Sequence, residues 1–225
     1  MILLFLQISF SIFQLDDNMF KSKILNKKLQ TPWFVMFGSS NCPNCIYAFP
    51  EFEKASNIAS DFIAFGYADT TLAREAALEL EVYTVPSFFL FTDNRTLRYS
   101  GKRLSSSFMN FIGSALGEGI DETDESWIDQ DENMVVMFTR RFKPPAYYSA
   151  AYDLFKSSNI KFGITRNSDV IEAFGNPPTP SIWFFKNGEK TKYQGKQDYV
   201  DFINAISDYF EVDFDDTQSD FKDDL

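Results

Sequence analysis

Cys42 and Cys45 are the only cysteines in the chain, and they stand three apart in Cys42-Pro43-Asn44-Cys45. An apolar run, Trp33-Phe34-Val35-Met36-Phe37, leads into them through Gly38-Ser39-Ser40-Asn41, and a helical pattern follows. One helical turn brings both sulfurs to the same face, so the pair can close into a disulfide and open again. A structural disulfide framework would need further pairs, and a zinc site needs four ligands from a chain that has no histidine. An inert buried pair, or zinc shared between two copies of the chain, are the alternatives. Unpaired amides and the dipole at a helix N-terminus favour a thiolate, which makes Cys42 the expected nucleophile. Pro43 suits that position, because its missing N–H falls where no intrahelical bond is made. Cys45, Phe49, Phe52, Ala55 and Ala59 share one helical stripe, so Cys45 is expected on the buried face as the cysteine that resolves a mixed disulfide.

The segment from Trp33 to Lys54, with Pro50-Glu51-Phe52-Glu53-Lys54 after the second cysteine, resembles the active-site segment of a protein disulfide isomerase catalytic domain. The resemblance implies a thioredoxin-like α/β fold; with the internal repeat described below, the chain reads as two tandem thioredoxin-like domains, each a central mixed sheet flanked by helices. The resemblance further implies that Val85-Pro86 is a cis-proline loop beside the cysteines, with Val85 offering its backbone to an extended substrate. Arg103, two residues after Gly101, matches the arginine that tunes the resolving cysteine in the family. Taken alone, Pro86 fits a plain turn equally well, and Arg103 a surface arginine without a role. The chain departs from the family in three places. Met36 stands six residues before Cys42, where a buried acid is usual; Asn41 replaces the aromatic before the first cysteine; and Asn44 stands where catalytic isomerases carry histidine. Slow escape from mixed disulfides is therefore expected.

Other elements must position these residues. Ile12 to Leu15 reads as a short strand, and Asp16-Asp17-Asn18 supplies caps for a helix running to about Leu29. Trp33 to Phe37 is apolar at every position, as a central strand buried on both faces must be. Pro50 is expected to kink the helix after the cysteines. Phe62 to Tyr67 reads as a strand, Thr71 to Leu80 as a helix, Phe88 to Phe91 and Thr96 to Ser100 as a hairpin, and Phe108 to Leu116 as a closing helix.

The pattern then begins again. Val136-Met137-Phe138 repeats Val35-Met36-Phe37, and Pro180-Ser181 through Gly195 repeats Pro86-Ser87 through Gly101. Phe162 to Val170 is similar to a segment of the first noncatalytic domain of protein disulfide isomerases. Lys143 and Ala146 fall at the places of Cys42 and Cys45, so the second domain can do no thiol chemistry. The expected organisation is a secretory signal over 1–11, a catalytic domain over 12–117, an acidic linker over 118–132, a noncatalytic domain over 133–212 and an acidic tail over 213–225.

The net charge of −11 is concentrated in two stretches. Residues 118–132 hold eight acids and no base, and residues 211–225 hold seven acids and one lysine. With the rest of the chain near neutral, no basic stripe exists to track a phosphate backbone, so nucleic acid is not an expected partner. The acidic stretches read as solvated segments, the tail with weak Ca²⁺ binding. The 26 phenylalanines read as core filler. Residues 1–8 are apolar enough for a secretory signal core, or for a first strand, and too short to span a bilayer. Lys222-Asp223-Asp224-Leu225 resembles an endoplasmic reticulum retrieval signal, and Asn94-Arg95-Thr96 is a glycosylation sequon. The leading expectation is a thiol–disulfide oxidoreductase or isomerase of the endoplasmic reticulum lumen, acting on folding client proteins. It would need no bound cofactor and would exchange electrons with glutathione or a partner thiol or disulfide. A noncatalytic chaperone or client-binding module, and a cytosolic thioredoxin-type reductase, are the alternatives, with secretion or the cytoplasm as the other compartments.

Overall fold

The computed structural model describes residues 12–25, 29, 31–128 and 131–213; the stretch read as a secretory signal, 1–11, and nearly all of the stretch read as an acidic tail lie outside these. The described residues divide into two compact units, the first up to Phe108 and the second from Met109 onward.

In the first unit, β1 (Ile12–Leu15), β2 (Trp33–Gly38), β3 (Ala64–Asp69), β4 (Ser87–Thr92) and β5 (Arg95–Tyr99) form one sheet in the order β1-β3-β2-β4-β5. β1, β3 and β2 run parallel, and β4 and β5 turn back antiparallel. Every residue of β2 is buried, which explains its unbroken apolar sequence. α1 (Asp17–Phe20) is capped by Asp16, whose carboxylate accepts from the Met19 amide at 2.8 Å, and it continues as a π-helical turn over Lys21–Leu25. Helix is described as far as Leu25, and the end expected at about Leu29 falls next to residues 26–28, which lie outside the described ones. α2 (Pro43–Ala59) runs unbroken through Pro50, α3 spans Arg74–Glu79, and α4 spans Ser105–Leu116. Phenylalanine is indeed the filler on the α2 face of the sheet. Phe34 packs 5.7 Å from Phe52 and 5.4 Å from Phe108, centroid to centroid. Rings at such spacings add to simple area burial.

The second unit repeats the plan with β6 (Asp121–Glu122), β7 (Met134–Phe138), β8 (Lys161–Thr165), β9 (Ser181–Lys186) and β10 (Glu189–Lys192), in the order β10-β9-β7-β8-β6. Its helices are α5 (Ala146–Phe155), α6 (Ser168–Ala173) and α7 (Tyr199–Phe210). One expectation needs correcting. The stretch read as a linker, 118–132, is part of this unit: β6 pairs with β8, and a 3₁₀ turn, Glu125–Trp127, buries Trp127 against Val136 and its neighbours. Its described acids are exposed, so charge density hid one aromatic anchor. Among the described residues, no helix is long and apolar enough to cross a membrane.

Candidate active site

The site forms where β2 ends and α2 begins. Cys42 is the N-cap of α2, with φ −98° and ψ 107°, and Pro43 opens the helix. The Cys42 sulfur accepts a hydrogen bond from the Cys45 amide at 3.1 Å, as a capping side chain does. It is half-exposed, and its thiol donates to the Val85 carbonyl at 3.6 Å. The Val85–Pro86 peptide is cis, so the loop expected beside the cysteines is there. Cys45, one turn on, is 2% exposed. The two sulfurs are unequal in the way the helical stripe predicts.

Burial first, and the hydrogen bond its thiol donates to Cys42 next, push the Cys45 thiol up to about 11; the Ser39 backbone and the Arg103 charge pull the other way. Arg103 is exposed, and its charge still reaches the buried sulfur. Two contacts hold the loop that carries it. The Tyr99 hydroxyl donates to the Lys102 carbonyl at 2.5 Å, and the Ser105 amide at the start of α4 donates to the Glu51 carboxylate of α2 at 2.7 Å. The Ser105 amide and hydroxyl hold the Glu51 carboxyl below its ordinary value. Met36 is fully buried, facing Tyr67 across β3 and Phe88 across β4, so no carboxylate stands at the place where the family resemblance expects one.

Sequence reading missed Tyr67. Its ring lies over Gly38: a β-carbon added at Gly38 would come within 2.7 Å of the ring and 2.8 Å of the hydroxyl. The ring also meets Phe49 edge-on at 5.8 Å. Burial, then the charges of Asp69, Cys45 and Cys42, push the phenol up to about 12, so it stays protonated at neutral pH. Asp69 accepts from the Thr71 hydroxyl at 2.7 Å and the Thr71 amide at 2.9 Å, and the Ser40 amide adds to these in holding its carboxyl low. The glycine closing β2 was the available signal, since a residue without a side chain at a strand end marks a close approach.

In the second unit, Thr179–Pro180 is also cis, while Lys143 and Ala146 replace the cysteines. α5 starts at Ala146, with Pro145 as its cap, so the geometry that exposes Cys42 has no counterpart there.

Residues 11–114 match the family described as Thioredoxin. A Caenorhabditis elegans protein described as "Probable protein disulfide-isomerase A4" is 23% identical over 203 residues, 80% of this chain and 31% of that one. The human protein described as DnaJ homolog subfamily C member 10 is 25% identical over 89 residues, 40% of this chain and 11% of that one. The chain therefore spans less than a third of the length of these curated relatives. Among solved structures, full-length ERdj5 superposes with a TM-score of 0.66 at 14% identity, over 90% of this chain and 33% of that one. At that identity it shows the fold alone, and it does so for both units.

Proposed function

We propose that this chain, whose residues 11–114 match the family described as Thioredoxin, is a thioredoxin-like protein of the protein disulfide isomerase family that performs thiol–disulfide exchange with folding client proteins of the secretory pathway, carried by Cys42 and Cys45. The observation that carries this reading is the inequality of the two sulfurs: one half-exposed at a helix tip beside the Val85 carbonyl, the other buried one turn behind it.

In the reducing direction the Cys42 thiolate attacks one sulfur of a client disulfide. A Cys42–client bond forms, the client's own S–S bond breaks, and the second client sulfur leaves as a thiolate that takes a proton from water. Cys45, once deprotonated, attacks the Cys42 sulfur, closing Cys42–Cys45 and releasing the client as a dithiol with two more electrons. Oxidation of a client is the reverse, and isomerisation is attack followed by return. Glutathione or a partner dithiol resets the pair. Val85 and Pro86 would hold the client strand against Cys42, and Arg103 would favour the Cys45 thiolate. The compartment proposed is the endoplasmic reticulum lumen, a reading supported by similarity to an isomerase. Finding the intact protein in the cytosol would exclude it.

A second reading, retention of clients as long-lived mixed disulfides, is favoured by the Cys45 thiol at about 11 with Met36 in place of an acid. One experiment addresses both. Cys45→Ser should trap covalent client complexes on a nonreducing gel and Cys42→Ser should trap none; equal trapping would refute the assignment of roles. Complexes persisting in the wild-type protein at neutral pH would favour retention over turnover.

A further inference from the structure

The two units share a topology but differ in one layer. Residue correspondences are fixed by the glycines of the third strand: Leu15 lies against Gly66 as Thr123 lies against Gly163, and the next residue, Asp16 or Asp124, caps the turn that follows. From that cap to the first residue of the central strand the first unit spans 17 positions, Asp16 to Trp33, and the second spans ten, Asp124 to Met134. The second unit is shorter by seven residues, about two helical turns.

In the first unit those residues lay α1 and its π turn over the sheet. Phe20 is completely buried, 5.7 Å from the Phe37 ring and 5.5 Å from Phe91, with Ile24 buried beside it. Phe138, Trp183 and Phe185 hold the positions of Phe37, Phe89 and Phe91 in the second unit, and there the 3₁₀ turn at Glu125–Trp127 replaces the helix. Phe174, in the place of Leu80, leans partway in, 5.2 Å from Phe138 and 5.6 Å from Phe185. It does not close the layer: Trp183 and Phe185 stay half-exposed, whereas Phe89 and Phe91 are buried. A pocket of about 160 Å³ opens among these four aromatics, with Pro178 and Lys190 also lining it. That is room for one aromatic ring, since an apolar cavity of about 150 Å³ holds benzene.

We infer that this pocket docks a short amphipathic helix of a partner protein, which inserts one aromatic side chain among Phe138, Phe174, Trp183 and Phe185. The incoming helix completes between molecules the layer that α1 completes within the first unit. Two observations specify the occupant. The filled counterpart shows a helical segment presenting a phenylalanine to the same two strand positions. The charge of the rim asks for an acid near that ring: Lys190 and Lys192 are exposed on β10, and the Lys190 ammonium donates to the Phe174 carbonyl at 3.5 Å, a contact a carboxylate would improve on. The inference stands apart from the thiol chemistry and does not rest on it.

The probe is a capped peptide with the sequence of residues 16–25 of this chain, titrated into the full-length protein while the Trp183 indole N–H signal is followed by NMR. A saturable shift of Trp183 is expected, with Trp33, whose unit already holds its own helix, unmoved. Replacing the peptide's phenylalanine with alanine, or Lys190→Glu in the protein, should weaken binding roughly tenfold or more. The Cys42→Ser, Cys45→Ser double variant should bind as the wild type does, so a failed redox reading leaves this result untouched. No shift of Trp183, or equal binding of the alanine peptide, overturns the proposal. Binding seen only after removal of residues 213–225 would assign the pocket to the chain's own tail, and a Trp183 shift on concentrating the protein alone would assign it to a second copy; either result overturns the partner assignment.

Discussion

Cys45 sets the tempo of the proposed reaction. With its thiol pushed up to about 11, it must shed a proton before it can release a client, and the neighbouring phenol of Tyr67, itself up to about 12, is neutral and no base at physiological pH. At that value about one Cys45 in ten thousand of the reduced protein is a thiolate at pH 7. Release from a mixed disulfide should therefore accelerate as pH rises above 7, as measured by stopped-flow decay of a Cys42-linked fluorescent peptide. Arg103→Gln removes a charge that holds the thiol down, so the same profile should move to higher pH. Asn44, exposed in the first turn of α2, offers the opposite adjustment. Asn44→His should make the pair more oxidising in glutathione buffers, by about 30 mV if the thiolate gains about 1.4 kcal/mol over the disulfide. Gly38→Ala drives a methyl into the Tyr67 ring and should cost about 1–3 kcal/mol in urea unfolding, regained in part by adding Tyr67→Leu. The two cysteines were legible in the sequence from their spacing and the helical stripe that follows, whereas Val85-Pro86 and Arg103 were expected only through the resemblance to the isomerase family. Tyr67 was missed, because it reaches the site across a strand pair and no local spacing records that.

Among the elements, α2 and α4 are tied at the Arg103 loop by the Ser105 amide on the Glu51 carboxylate. Glu51's carboxyl is held below its ordinary value in the folded chain. Its contribution to stability is thus present above the ordinary glutamate range and lost as pH falls from there through the lowered value of the folded chain. Glu51→Gln should lower the unfolding temperature at pH 7 and match wild type at strongly acidic pH, which calorimetry at the two pH values checks. Strand and helix identities followed from periodicity: β2 and β7 are apolar throughout because both faces are covered, and α2 alternates because one face is not. Boundaries moved where chain chemistry and packing disagree. The expected strand at Phe62 begins at Ala64, because Phe62 and Ile63 still return hydrogen bonds to Ala59 at the end of α2.

For the molecule as a whole, the repeat was visible in two short echoes, and the sheet order shows that the echo extends to every strand. What composition concealed was the beginning of the second unit, where acids outnumber everything around Trp127. Trp127→Ala should cost about 3–5 kcal/mol in the second unit while Cys42 keeps its alkylation rate, as unfolding followed beside thiol labelling would show. One turn occurs in both copies. Tyr99 folds its hydroxyl back onto the Lys102 carbonyl, Tyr193 does the same to Lys196 at the same 2.5 Å, and a β-carbon at either Gly101 or Gly195 would strike the tyrosine ring. Yet the residue after that lysine is Arg103 in one copy and Gln197 in the other, where there is no thiol to serve. The turn is thus architecture held in common, and the arginine is a tenant of it. Duplicated scaffolds of this sort can gain or shed an activity by exchanging a few side chains on ready-made corners, with no backbone to rebuild.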